Sequence, residues 1–234
     1  MTAFKVKAEL KAFVDPEKAE FLPRFFKTGK GEYGEGDVFI GVTVPNQRKV
    51  AKEFKDLDLA EIKKLLDSKV HEHRLTALLI LVLQYEKGDN VVKSKIYDFY
   101  MRNLSRVNNW DLVDTSAHKI VGAYLLDKPV MRKVLYNLAR SKDLWERRVA
   151  MISTWWFIKY DQFDDVVKIA EILLKDEHDL MHKAVGWMLR EMGKKDEVRL
   201  KGFLDKYAIE MPRTMLRYAI EKLDEDTRKY YLNR

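Results

Sequence analysis

Four residues of the chain have types that can do chemistry and a spacing that could bring them together: Trp110, Asp114, Arg148 and Trp187. Trp110 and Asp114 are four apart, which puts their side chains next to each other on one face of a helix. A carboxylate beside an electron-rich ring face favours positive charge. Asp111, one residue from Trp110 and about 100° round the helix, is a poorer partner and is expected to serve the helix N-terminus. Taken singly, each of the four also has a plain structural explanation. A Trp on a helix packs a core, an Asp caps or pairs, and an Arg makes a surface ion pair. Trp155 and Trp156 are adjacent and point different ways, so at least one is expected in the core.

Other chemistries find less support. Cysteine is absent, which excludes disulfides, thiolate ligands and a cysteine nucleophile. His71 and His73 are two apart, a poor metal pair on a helix. His178 and His182 have the right spacing but no third ligand, so no metal site and no cofactor are expected. Gly29, Gly31, Gly34 and Gly36 crowd one stretch without the Gly-Lys-Ser/Thr of a phosphate-binding loop. They admit two readings, a structural turn or backbone N–H groups offered to phosphates. Gln47 and Arg48, just after Pro45, are further candidate contacts to phosphates.

The elements that must position these residues are helices. Apolar residues recur at steps of three and four, as in Leu75, Leu78, Leu79, Val82 and Leu83, and period-two alternation is almost absent. The exception, residues 38–44, reads as ordered loop or a short extended piece. An N-terminal helical hairpin over about 2–27 is followed by the glycine-rich loop over about 28–45. Beyond it, longer helices begin near Val70, Asn109, Leu144, Leu180 and Thr214, about 34 to 40 residues apart. That period predicts an all-α, curved solenoid of stacked HEAT-like antiparallel helix pairs, in a single domain spanning residues 1–234. The second helix of each pair lines a concave face in such an array. Arg74, His118, Lys119, Arg147, Arg148, His182, Lys183, Arg213 and Arg217 would then form a basic stripe there. Matching positions on neighbouring inner helices sit side by side, so the register predicts that Trp110, Asp114, Arg148 and Trp187 converge.

The charge balance agrees with a polyanionic partner. Lys and Arg number 44 against 37 Asp and Glu, a net charge of +7. No apolar run approaches the roughly 20 residues that cross a bilayer, and the N-terminus has no secretory pattern. A cytoplasmic chain is therefore expected.

Four segments carry a resemblance: residues 24–48 (RFFKTGKGEYGEGDVFIGVTVPNQR), 109–125 (NWDLVDTSAHKIVGAYL), 145–155 (WERRVAMISTW) and 182–187 (HKAVGW). In this order and over nearly the whole chain they resemble the bacterial AlkD-like DNA glycosylases of alkylation repair. The resemblance implies a HEAT-like repeat fold and excision of 3-methyladenine and 7-methylguanine from duplex DNA. It implies Trp110, Asp114, Arg148 and Trp187 as the catalytic residues, with no base-binding pocket. Arg148 would hold a phosphate and the tryptophans would face the sugar and the cationic nucleotide. Gln47, Arg48, Arg74, Lys119, Arg147, Lys183, Arg213 and Arg217 are the expected DNA contacts. No lysine is singled out as a lyase nucleophile, so a monofunctional hydrolase is expected. It would act as a monomer, with no obligate protein partner and no membrane. Two alternatives share the scaffold: a non-catalytic binder of DNA structure, and a scaffold whose basic stripe binds an acidic protein.

Overall fold

A computed structural model describes all residues 1–234 and is helical throughout, with one isolated β-bridge between Val38 and Val70. The chain packs as two compact units, Met1–Ile120 and Val121–Arg234.

The first unit contains α1 (Ala3–Lys11), α2 (Pro16–Phe21), α3 (Pro23–Phe26), α4 (Val44–Glu53), α5 (Leu59–Leu66), α6 (His71–Lys87), α7 (Asn90–Arg102) and α8 (Trp110–Ala117). Local chemistry sets several starts. Asp15 accepts from Lys18 N ahead of Pro16, and Asp89 accepts from Val92 N ahead of α7. The centre is α6. Its run from His71 to Val82 is buried on every side, because LTALLILV offers no polar stripe to leave in water. Helices α4, α5, α7 and α8 all pack on it. After Ala117, α8 runs on as a π-helical turn over His118–Gly122.

The second unit contains α9 (Ala123–Leu125), α10 (Lys133–Ala139), α11 (Leu144–Lys159), α12 (Asp164–Ile172), α13 (Asp179–Gly193), α14 (Glu197–Tyr207), α15 (Arg213–Ala219) and α16 (Glu225–Leu232). Asp143 caps α11 through Trp145 N and Glu146 N, and Asp196 caps α14 through Arg199 N. Here α11, α13 and α15 lie side by side, with α10 and α12 against α11 and with α12 and α14 against α13. Each long helix begins within about one residue of the position expected from periodicity. Residues 38–43 are ordered loop apart from the single bridge, in line with the reading of the sequence, and α4 begins at Val44. Neither Trp155 nor Trp156 is fully buried, contrary to the expectation of a core residue; Lys159 Nζ lies 4.4 Å from the Trp156 ring centroid.

Candidate active site

The first turn of α8 is built from outside the helix. Asn109, fully buried, accepts from Trp110 N through Oδ1 at 2.8 Å and so caps the helix. The Trp110 indole stacks on Phe26 from α3, with ring centroids 5.3 Å apart and planes 9° from parallel. Asp114 follows one helical turn later, and both Trp110 and Asp114 are partly exposed. The helix behind them supplies Tyr100 from α7, whose hydroxyl meets Ser116 Oγ at 2.9 Å. Burial pushes the Tyr100 phenol well above its ordinary range, and the nearby charge of Asp114 pushes the same way. Tyr100 therefore stays protonated beside Asp114.

The loop before α4 is fastened to the start of α6 and to α8. His71 pairs with Asp37 of the loop at 3.0 Å through Nδ1, and with Asp111 of α8 at 2.8 Å through Nε2. The His71 side chain is 2% exposed and that of Asp37 6%. Burial works against the imidazolium, but the charge of Asp111 and the hydrogen bonds to Asp111 and Asp37 outweigh it and push His71 up to about 9. At neutral pH both ring nitrogens donate. Arg74 donates to the other Asp37 oxygen at 2.7 Å, and Asn109 Nδ2 donates to Asp37 at 3.3 Å. Burial disfavours the Asp37 carboxylate, yet its bonds with His71 and Arg74 hold it below the usual range. Glu72, 1% exposed, accepts from Ile40 N at 3.0 Å and Gly41 N at 2.8 Å, and its burial raises its carboxyl.

Between the two readings of the glycine-rich stretch, packing favours the structural one at Gly34. A Cβ there would sit 2.2 Å from Phe26 O. Gly41, a little further along, has φ +80°, and a Cβ on it would sit 2.0 Å from Asp15 O. Two of the expected DNA contacts are consequently inside the protein. Gln47 is 2% exposed and donates to Val42 O at 2.7 Å, and Arg74 is 2% exposed and is committed to Asp37. Both hold the loop rather than facing a phosphate, which corrects the expectation of Gln47 as a DNA contact and of Arg74 as a member of the basic stripe.

The remaining expected residues fall as follows. In the first unit, Arg48 is exposed and Lys119 lies 3.5 Å from Glu86; both line a small pocket of about 110 Å³ with Lys52 and Leu83. In the second unit, Arg148 is 5% exposed and donates to Leu180 O, the second residue of α13, at 2.6 Å. Trp187 is partly exposed on α13. Arg147 is held by Asp176 at 2.6 Å and by the carbonyls of Ser141 and Lys142 at 3.0 Å, in the wall of an open cleft of about 540 Å³. Its charge is thus largely met within the protein. Lys183 pairs with Asp179 at 2.8 Å, while Arg213 and Arg217 are exposed.

Sequence reasoning weighed His71 only as a metal ligand and missed its pairing with Asp111. The signal was present: both residues sit in the first turn of neighbouring helices, α6 and α8. Register between these two neighbouring helices would have paired them.

The model of the DNA alkylation repair enzyme family matches residues 6–223. The chain belongs to that family. Membership places the role of the protein in alkylation repair, with DNA as its partner. Among solved structures, a predicted DNA alkylation repair enzyme from Enterococcus faecalis is similar with a TM-score of 0.68 at 16% identity, over 91% of this chain and 97% of that one. At that identity the likeness speaks for the fold alone. No curated protein matches the sequence. No helix is long and apolar enough to cross a membrane.

Proposed function

We propose that this member of the family is an AlkD-like monofunctional DNA glycosylase that hydrolyses the N-glycosidic bond of cationic alkylated purines, such as 3-methyladenine and 7-methylguanine, in duplex DNA. The observation that carries the reading is the first turn of α8. Trp110 is fixed by Phe26 and by the Asn109 cap, and Asp114 stands one turn on, both reaching solvent.

Alkylation at a purine ring nitrogen makes the base cationic. When the bond from the base nitrogen to the sugar breaks, its electron pair stays with the base, which leaves neutral. Positive charge then builds on the deoxyribose. An Asp114 carboxylate stabilises that charge and takes a proton from the attacking water as the new C–O bond forms. The lesion supplies its own leaving-group activation, so a separate general acid is unnecessary. The Trp110 and Trp187 ring faces favour a cationic nucleotide by about 0.5–2 kcal/mol per contact. Arg48, Lys119, Lys183, Arg213 and Arg217 supply backbone attraction, and the resemblance adds Arg148 as a phosphate contact. Recognition by charge and backbone makes a shaped base pocket dispensable. The stacked long helices of each unit are in keeping with HEAT-like pairing.

Asp114→Asn tests the assignment. Loss of an electrostatic stabiliser lowers single-turnover excision of 7-methylguanine by about 10²–10³-fold, while duplex affinity stays within about threefold. Wild-type excision by Asp114→Asn would remove Asp114 from the reaction. Binding without excision by the wild type would leave a non-catalytic DNA binder.

A further inference from the structure

The Trp110 ring is oriented by groups that lie outside its own helix. On one side it stacks on Phe26. Phe26 in turn packs on Phe39, with centroids 4.8 Å apart, and on the His71 ring at 4.8 Å. Phe39 and His71 stack at 4.7 Å with planes 21° from parallel. Trp110, Phe26, Phe39 and His71 thus form one continuous packed group in which His71 is the polar member. His71 is also the residue that ties the loop to α8, through Asp37 on one nitrogen and Asp111 on the other. Asp111 is the immediate neighbour of Trp110, and Asp37 also binds Asn109, the residue before Trp110. Both the ring stacked on the indole and the residue that caps its helix therefore lead back to one imidazole ring.

We propose that His71 is a positioning residue for Trp110: bound at both nitrogens between Asp37 and Asp111, it fixes the Phe26 platform and the first turn of α8, and its deprotonation releases them. The consequence for excision rests on the glycosylase reading above. The consequence for the Trp110 ring does not.

The charged groups facing His71 are Asp37 from the loop, Arg74 and Glu72 from its own helix, and Asp111 from α8. Two carboxylates bonded directly to the ring outweigh one guanidinium, whose Nη2 donates to the other Asp37 oxygen and lies 3.5 Å from His71 Nδ1. The cationic ring is the form that can donate from both nitrogens. The neutral ring has a single N–H and must give up one of its two carboxylates. With His71 pushed up to about 9, that change falls in the alkaline range and not at physiological pH.

The test uses the full chain labelled with ¹⁵N. The five tryptophans give five indole N–H signals, and the Trp110→Phe spectrum identifies the one from Trp110. In the wild type the Trp110 signal is expected to shift with a midpoint near pH 9, while the Trp155, Trp156 and Trp187 signals do not share that midpoint. In His71→Gln the Trp110 signal is displaced at pH 7 and no longer titrates there. In parallel, single-turnover excision of 7-methylguanine by His71→Gln is expected to fall about tenfold or more with duplex Kd within about threefold, and its alkaline decline is lost. If His71→Gln does not fold, Asp111→Asn keeps the Asp37 bond and is expected to shift the Trp110 midpoint towards neutral pH. A Trp110 signal that ignores pH between 7 and 10 overturns the proposal, as does a His71→Gln chain with wild-type excision and an undisplaced signal. A wild type that shows the titration but excises nothing refutes the glycosylase reading and leaves the positioning role standing.

Discussion

Replacing Asp37 by Asn removes the negative charge between two buried cations while keeping the side-chain size. In the folded protein its carboxylate receives Arg74 at 2.7 Å, His71 at 3.0 Å and Asn109 at 3.3 Å. Removing one partner of a buried ion pair costs about 3–5 kcal/mol, because the surviving charge stays buried and uncompensated. Asp111 remains beside His71, so the lower end, about 3 kcal/mol at pH 7, is expected. The pH dependence follows from the two groups. His71 rises from its ordinary 6.5 to about 9, so its stabilisation is complete below 6.5 and is lost as pH rises through about 9. A rise of that size corresponds to about 3 kcal/mol, at about 1.4 kcal/mol per pH unit. Asp37 is lowered from 3.8, so its contribution is present above 3.8 and is lost as pH falls through the lower folded value. The stability difference between wild type and Asp37→Asn is therefore widest around neutral pH and narrows towards pH 10 and towards pH 2. Urea unfolding followed by circular dichroism at several pH values measures it. A loss below about 1 kcal/mol at pH 7, or a difference independent of pH, would refute the reasoning.

Three further outcomes are expected. Gly41→Ala places a methyl against Asp15 O at a backbone with φ +80°, and should cost about 2–4 kcal/mol in urea unfolding; unchanged stability would mean the loop is not held as described. Arg132 donates to Asp165 at 2.7 Å and to Leu125 O at 3.1 Å, with its guanidinium 4.2 Å from the Phe157 ring centroid. Arg132→Met should lower the melting temperature through a loss of about 2–4 kcal/mol, and a change within experimental error would contradict it. Arg217→Gln should weaken duplex binding for all sequences and reduce the slope of log K against log salt by about 0.9, read by fluorescence anisotropy; an unchanged slope would take Arg217 out of the interface.

Helix starts were readable because they rest on short-range chemistry. The buried run of α6 is visible as apolar residues without a polar stripe, and a polar side chain precedes α8 at Asn109 and α11 at Asp143. The placement of Trp110 and Asp114 one turn apart on a single helix was readable for the same reason. What the sequence hid depends on chain segments far apart. Gln47 and Arg74 look like outward-facing polar residues at helix starts, but the loop folds over them and takes up their hydrogen bonds at Val42 and Asp37. Asp37 lies in a loop 34 residues before His71, and no local pattern links the two; His71 and Asp111, 40 residues apart, are linked only through the register of neighbouring helices. Arg147 was equally opaque, because its partner Asp176 lies 29 residues on. Tertiary ion pairs of this kind decide which members of a basic stripe are available to DNA.

The central claim is that this chain breaks the glycosidic bond of a cationic purine. The most direct measurement is release of free 7-methylguanine from a methylated duplex, followed by chromatography over time with the intact strand quantified separately. The account predicts free base above the spontaneous rate, equal in amount to abasic sites, with no strand cleavage until the abasic product is treated with alkali. Release no faster than in buffer alone would contradict it.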